Sequence, residues 1–104
     1  MIAKKDKDLN LDIEINRLVH EPARLKILAY LSIVKSADFV FLVSRIGLTM
    51  GNLSAHVSKL DTAGYIKVKK EFKDNRPHTM ISLTDKGRQA YTGYREDMLQ
   101  LLQE

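Results

Sequence analysis

Gly47, Leu48 and Thr49 are all that separate two short helical patterns, and this spacing constrains the fold of the 104-residue chain more than any other feature. Asp38 can cap the first pattern, Phe39, Leu42, Val43 and Ile46 follow at helical intervals, and Gly47 supplies a left-handed stop. Thr49 can cap the second, which carries Leu53, Val57 and Leu60 at i, i+4 and i+7 and runs to Ala63, with Gly64 closing it. So short a joint leaves no slack. The two helices must turn sharply against each other, the geometry of a helix-turn-helix.

With Leu53, Val57 and Leu60 anchored to a core, the opposite face of the second helix is free. It carries Met50, Asn52, Ser54, Ala55, His56, Ser58 and Lys59, small or hydrogen-bonding side chains with a single clear charge. A helix that is only solvated is more often studded with Glu and Lys. One that enters a major groove needs small residues for close approach, and amides or hydroxyls to meet base edges. The composition of this face favours the groove.

The flanking segments predict a mainly α fold with a small β-hairpin. Between Leu9 and Val19 two patterns compete. Leu9, Leu11, Ile13 and Ile15 alternate as in a strand, whereas Leu11, Ile15, Leu18 and Val19 share one helical face, and the helix is the preferred reading. Glu21 and Pro22 open a core helix in which Leu25, Ile27, Leu28 and Leu31 recur at helical spacing. After Gly64, Tyr65 to Phe72 and His78 to Leu83 read as the strands of a hairpin, with Lys73 to Pro77 as its turn. Ile66, Val68, Ile81 and Leu83 give the hairpin one apolar face; Lys70 breaks the alternation, so the tip should project beyond the core. Thr84 caps a last helix with a stripe of Tyr91, Tyr94, Met98, Leu101 and Leu102.

Met1 to Asp8 mixes charges of both signs with little to bury and reads as a flexible arm. Residues 9–104 are then a single domain, with the second helix of the pair at about 50–63, the hairpin at about 65–83 and the last helix at about 85–102. The last-helix stripe extends past the hairpin, while Leu11, Ile15 and Leu18 at the other end also seek cover. A joint interface of the two terminal helices in a homodimer accounts for both.

The formal charge is only +4, so its placement matters more than its size. Between Lys67 and His78 stand Lys67, Lys69, Lys70, Lys73 and Arg76 against Glu71 and Asp74, which concentrates the basic excess in the hairpin. Cysteine is absent, which excludes disulfides, thiolate metal sites and cysteine nucleophiles. No apolar run approaches a membrane span, and Met1 to Leu9 is charged where a signal peptide would be greasy; a cytoplasmic protein is expected. There is no phosphate-binding glycine loop, no serine nucleophile between glycines and no metal-binding His-Glu helix, so no enzyme activity and no cofactor are expected.

Blander readings stand beside these. His20 suits a helix C-terminus better than a metal. For His56, groove contact and plain exposure weigh equally, and for His78 a neutral surface role outweighs a phosphate contact. Lys67, Lys69 and Lys70 are adequately explained as the solvated face of an edge hairpin. Lys73 and Arg76 at a projecting tip are less so, and Arg76 is the residue best suited to a narrow minor groove.

Helix, helix-turn-helix, basic hairpin and terminal helix is the order of winged-helix regulators. Glu21 to Leu31 (EPARLKILAYL) resembles the opening helix of the ArsR and MarR kinds of regulator. Gly51 to Ile66 (GNLSAHVSKLDTAGYI) resembles their recognition helix running into the wing, and Ile81 to Gly87 (ISLTDKG) the strand and cap that follow. The resemblance covers about three-quarters of the chain, and three motifs in the right order and spacing make it strong. It implies a winged helix-turn-helix with extra N- and C-terminal helices, and a homodimer on a pseudo-palindromic double-stranded DNA operator. Contacts would then come from Thr49, Met50, Asn52, Ser54, Ala55, His56, Ser58 and Lys59 in the major groove, and from Lys73, Asn75 and Arg76 on the wing. No histidine lies in Asp85 to Glu104, so the metal sites of metal-sensing relatives are not expected.

Two functions remain open at this stage. One is a sequence-specific transcriptional regulator, a repressor before an activator, because steric occlusion needs no further domain. The other is a winged helix used as a protein-interaction module in a larger assembly.

Overall fold

A computed structural model describes residues 11–103. The arm expected over Met1 to Asp8 lies outside them. The elements are α1 (Pro22–Leu31), β1 (Ala37–Asp38), α2 (Phe39–Ile46), α3 (Met50–Thr62), β2 (Ile66–Lys73), β3 (Arg76–Leu83) and α4 (Asp85–Leu102). The three strands form one antiparallel sheet in the order β1-β3-β2. The architecture is a winged helix.

Side-chain caps set the helix boundaries. The Glu21 carboxylate accepts from the Arg24 N–H at the start of α1, Asp38 from Val40 and Phe41 at the start of α2, Thr49 from Asn52 at α3, and Thr84 from Gly87 at α4. Gly47 and Gly64 have φ of 78° and 79°, the left-handed conformation that lets the chain reverse after α2 and α3. Helix α3 is a poor intrinsic helix. Gly51 costs about 1 kcal/mol relative to alanine, and Asn52, Ser54, His56 and Ser58 about 0.5 kcal/mol each. Burial of Leu53, Val57 and Leu60 offsets this, at about 1.5–3 kcal/mol for each side chain.

Those three residues join Val19, Ile27, Leu28, Leu31, Ala37, Leu42, Ile66, Ile81 and Tyr94 in one core between the helices and the base of the sheet. Gly87 is fixed by close approach. A Cβ there would lie 2.0 Å from the Tyr65 carbonyl oxygen, which itself accepts from the Thr84 N–H. The glycine of TDKG thus lets α4 start against the beginning of the wing.

Three expectations need correction. Leu11 to Val19 is not helical but runs through a turn, an irregular stretch and a second turn; Leu9 and Asn10 lie outside the described residues. The reason is Asn16, whose side-chain carbonyl accepts from the N–H groups of Leu18 and Val19, while its amide donates to the Tyr65 hydroxyl. This local turn replaces helical hydrogen bonds. The hairpin turn is shorter than Lys73 to Pro77. Strand pairing continues to Lys73↔Arg76, and only Asp74 and Asn75 turn, both with positive φ (53° and 61°), as a two-residue hairpin requires. Pro77 fits within β3 because its pairing with Phe72 is the non-hydrogen-bonded kind, and its missing N–H faces the edge that β1 does not reach. Finally, β1 adds a third strand, pairing Ala37 with Ile81 and Asp38 with Met80.

Candidate nucleic-acid interface

On α3, Thr49, Met50, Asn52, Ser54, Ala55, Ser58 and Lys59 are exposed and form one continuous surface. At 100° per residue, the line opposite Leu53 and Leu60 runs through Gly51, Ala55, Ser58 and Thr62. Gly51 and Thr62 are exposed as well, and the sequence reading did not single them out. Both are small, so the centre of this face presents little more than backbone to an approaching surface.

His56 stands apart from the others. Its ring is half-buried and turned toward α1, with Nδ1 3.2 Å from Arg24 Nη1 and 3.7 Å from Glu21 Oε1. Arg24 is itself buried, and its Nε donates to the Leu18 carbonyl at 2.6 Å. A guanidinium can only donate, so it donates to Nδ1 when the ring is neutral, whereas a charged ring would turn the same Nδ1–H toward Glu21. Arg24 and Glu21 therefore hold the position of this ring on α3. Burial works against the Glu21 carboxylate, but the Arg24 N–H, His56, the Arg24 guanidinium and the Ala23 N–H together hold its carboxyl below the usual range. The signal for Arg24 was a cation at i, i+3, i+4 and i+7 with Ile27, Leu28 and Leu31, on the buried stripe of α1.

The wing projects as expected. From Lys67 outward β2 is exposed, apart from the half-buried Glu71, and Lys73, Asn75 and Arg76 are exposed at its end. Among the described residues, Lys67, Lys70, Lys73 and Arg76 have no ion pair, and only Lys69 approaches an acid, Glu71 at 3.9 Å. His78 is not a free surface residue; its Nδ1–H donates to Asp38 Oδ2, tying the wing to the cap of α2. That bond, opposed by partial burial and aided by the N–H groups of Val40 and Phe41, holds the Asp38 carboxyl below the usual aspartate range. A groove of about 600 Å³ runs beside this bridge, lined by the start of α2 (Asp38 to Phe41), by Met50 of α3 and by Arg76 to Thr79 of β3. The start of α3 and the wing therefore border a single concave surface.

The residues expected at a dimer seam divide into two groups. Tyr94 is in the core and its hydroxyl meets His20 Nδ1 at 2.6 Å; Ile15, Leu18, Tyr91 and Met98 pack partly against the core. Leu101 is half-buried, and Leu11 and Leu102 are each 76% exposed. Leu99, which the stripe did not include, is exposed beside them. An apolar cleft of about 580 Å³ runs along this part of α4, from His20 and Leu25 to Leu99 and Leu102. No described helix is long and apolar enough to cross a membrane.

Comparison with known proteins agrees with this geometry. Residues 23–102 match the family model described as a winged helix DNA-binding domain. An uncharacterised protein of Methanocaldococcus jannaschii is 36% identical over 85 residues, spanning 82% of this chain and 92% of that protein. The structure of a transcriptional regulator homologue from Pyrococcus horikoshii superposes with a TM-score of 0.75 at 26% identity, covering 91% of this chain and 90% of that one. The transcriptional regulator BldR from Sulfolobus solfataricus gives 0.65 at 25% identity, over 97% and 68% of the two chains. Both of these structures are of transcriptional regulators or their homologues. By sequence and by fold, the chain belongs to the winged helix DNA-binding domain family and is similar over about nine-tenths of its length to a transcriptional regulator homologue.

Proposed function

We propose that this protein is a homodimeric, sequence-specific repressor that acts in the cytoplasm by occluding double-stranded DNA. The observation that carries the reading is the shared concave surface. Met50, at the start of the small-residue face of α3, and Arg76, on the cationic wing, border the same groove. In this reading α3 enters a major groove, where Asn52, Ser54, His56, Ser58 and Lys59 reach base edges or phosphates and Met50 and Ala55 meet thymine methyl groups. Thr49 meets the backbone, and Lys73, Asn75 and Arg76 follow it into the adjacent minor groove. Phosphate contacts supply most of the affinity, and the groove contacts supply discrimination.

The dimer reading rests on α4. Its exposed Leu99 and Leu102 line the apolar cleft and are a surface that a second copy would cover, with the exposed Leu11 as a further candidate. A two-fold dimer places two α3 helices about one DNA turn apart, so the operator should be an inverted repeat.

Selection of bound duplexes from a random library, followed by light scattering of the complex, tests both parts. The expected result is an enriched inverted repeat with half-site centres about 10 base pairs apart and two chains per duplex. No enrichment, with no affinity for duplex, would favour the protein-interaction module instead.

A further inference from the structure

The wing carries one feature that charge does not explain. Phe72 is 77% exposed, as much as any large apolar side chain among the described residues except Ile33. It lies near the tip of β2, paired in register with Pro77 of β3. Directly opposed residues of an antiparallel pair share a face, so Phe72 and Pro77 form one apolar pair. The next pair outward is Lys73↔Arg76 and the next inward on the same face is Lys70↔Thr79. An exposed phenylalanine–proline pair bracketed by cations has no role in the fold, since the core ends at Ile66 and Ile81.

We propose that Phe72, backed by Pro77, is an apolar wedge that the wing presses into the minor groove of duplex DNA, opening a base step. The proposal rests on the reading that the wing meets DNA. The cations decide the occupant. Lys70 stands two pairs inward on the same face, and Lys73 and Arg76 stand at the tip one pair outward on the opposite face, so cations flank the pair on both sides, and a polyanion satisfies them where an apolar protein surface would not. The minor groove is lined by phosphates on both walls and offers sugars and base edges between them. Phenylalanine and proline are among the side chains that enter base steps from that groove, unstacking them and bending the duplex toward the major groove. Phe72 stands opposite the rigid Pro77 and has few side-chain torsions, so it loses less entropy on insertion than the lysines beside it.

The test uses the full chain and an alternating thymine–adenine duplex, in which every second step is the easily opened TA step. The duplex carries 2-aminopurine at several adenines and a donor–acceptor dye pair at its ends. Wild type, Phe72→Ala, Phe72→Leu and Arg76→Ala are titrated at several salt concentrations. The wedge predicts that wild type brightens 2-aminopurine and shortens the end-to-end distance. Phe72→Ala should lose about tenfold in affinity, within the range for truncating an aromatic–base contact, together with both optical signals. Its salt dependence should match wild type, because no charge is removed, and Phe72→Leu should retain most of the signal. Arg76→Ala, by contrast, should make the salt dependence shallower. If Phe72→Ala keeps wild-type affinity and bending while Arg76→Ala loses salt dependence, the wing binds DNA by charge alone and the wedge is overturned. If wild type itself binds no duplex, the wedge and the DNA reading of the wing are overturned together.

Discussion

The guanidinium of Arg24 on α1 lies 3.2 Å from Nδ1 of the His56 ring on α3. One buried cation thereby joins the Leu18 carbonyl to the exposed helix α3. Either residue replaced by alanine breaks the same bond, so their effects on stability should overlap. In a double-mutant cycle by urea denaturation, the Arg24→Ala and His56→Ala costs should fall short of additivity by about 1 kcal/mol. Simple additivity would mean that the two side chains do not interact.

Gly51 sits inside a helix that it weakens, and the fold does not require it. A Cβ at this position would meet nothing within 4 Å. Gly51→Ala should therefore raise stability by about 0.5–1 kcal/mol in denaturant titrations. Because the residue lies at the centre of the exposed face of α3, the same change should weaken duplex binding. A variant both more stable and fully active would show that the helix does not approach DNA closely there.

The Asp38–His78 bridge makes the joint between α2 and the wing sensitive to acid. Asp38 has its carboxyl depressed in the folded chain, so its stabilising contribution is complete above the ordinary aspartate range, near pH 4 and higher. It is lost as pH falls through the depressed value. Glu21, also depressed, adds in the same direction. Asp38→Ala should cost about 1 kcal/mol at neutral pH through the lost cap. It should also flatten the decline in melting temperature below about pH 4. An acid profile identical to wild type would remove the bridge from the stability of the wing.

Leu99 and Leu102 are 60% and 76% exposed within one chain, so charges there should not disturb the monomer fold. Leu99→Asp with Leu102→Asp should convert dimers to monomers by light scattering while circular dichroism is retained, because carboxylates are costly in an apolar seam. A persistent dimer would place the seam elsewhere.

Local punctuation made much of the fold legible in the sequence. Asp38, Gly47, Thr49, Gly64 and Thr84 act through their own backbone neighbourhood, and each stands where its residue type predicts. The exposed face of α3 followed from the helical period alone. Tertiary partners were not legible. His78 looked like a surface residue because Asp38 is forty positions away, and β1 is too short to leave a pattern. Leu11 to Val19 has a helical apolar spacing, but the side chain of Asn16 competes for the backbone and wins. The helical period puts Arg24 on the buried stripe of α1, but nothing in the chain order reveals the Leu18 carbonyl and His56 beside it.

The most direct test of the whole account is the fluorescence anisotropy of a labelled random duplex titrated with the protein across a salt series. If α3 and the wing together neutralise six to ten phosphates, affinity should fall by about a thousandfold or more between roughly 50 and 200 mM salt. Binding absent at low salt, or present but indifferent to salt, would contradict the claim that this surface meets nucleic acid.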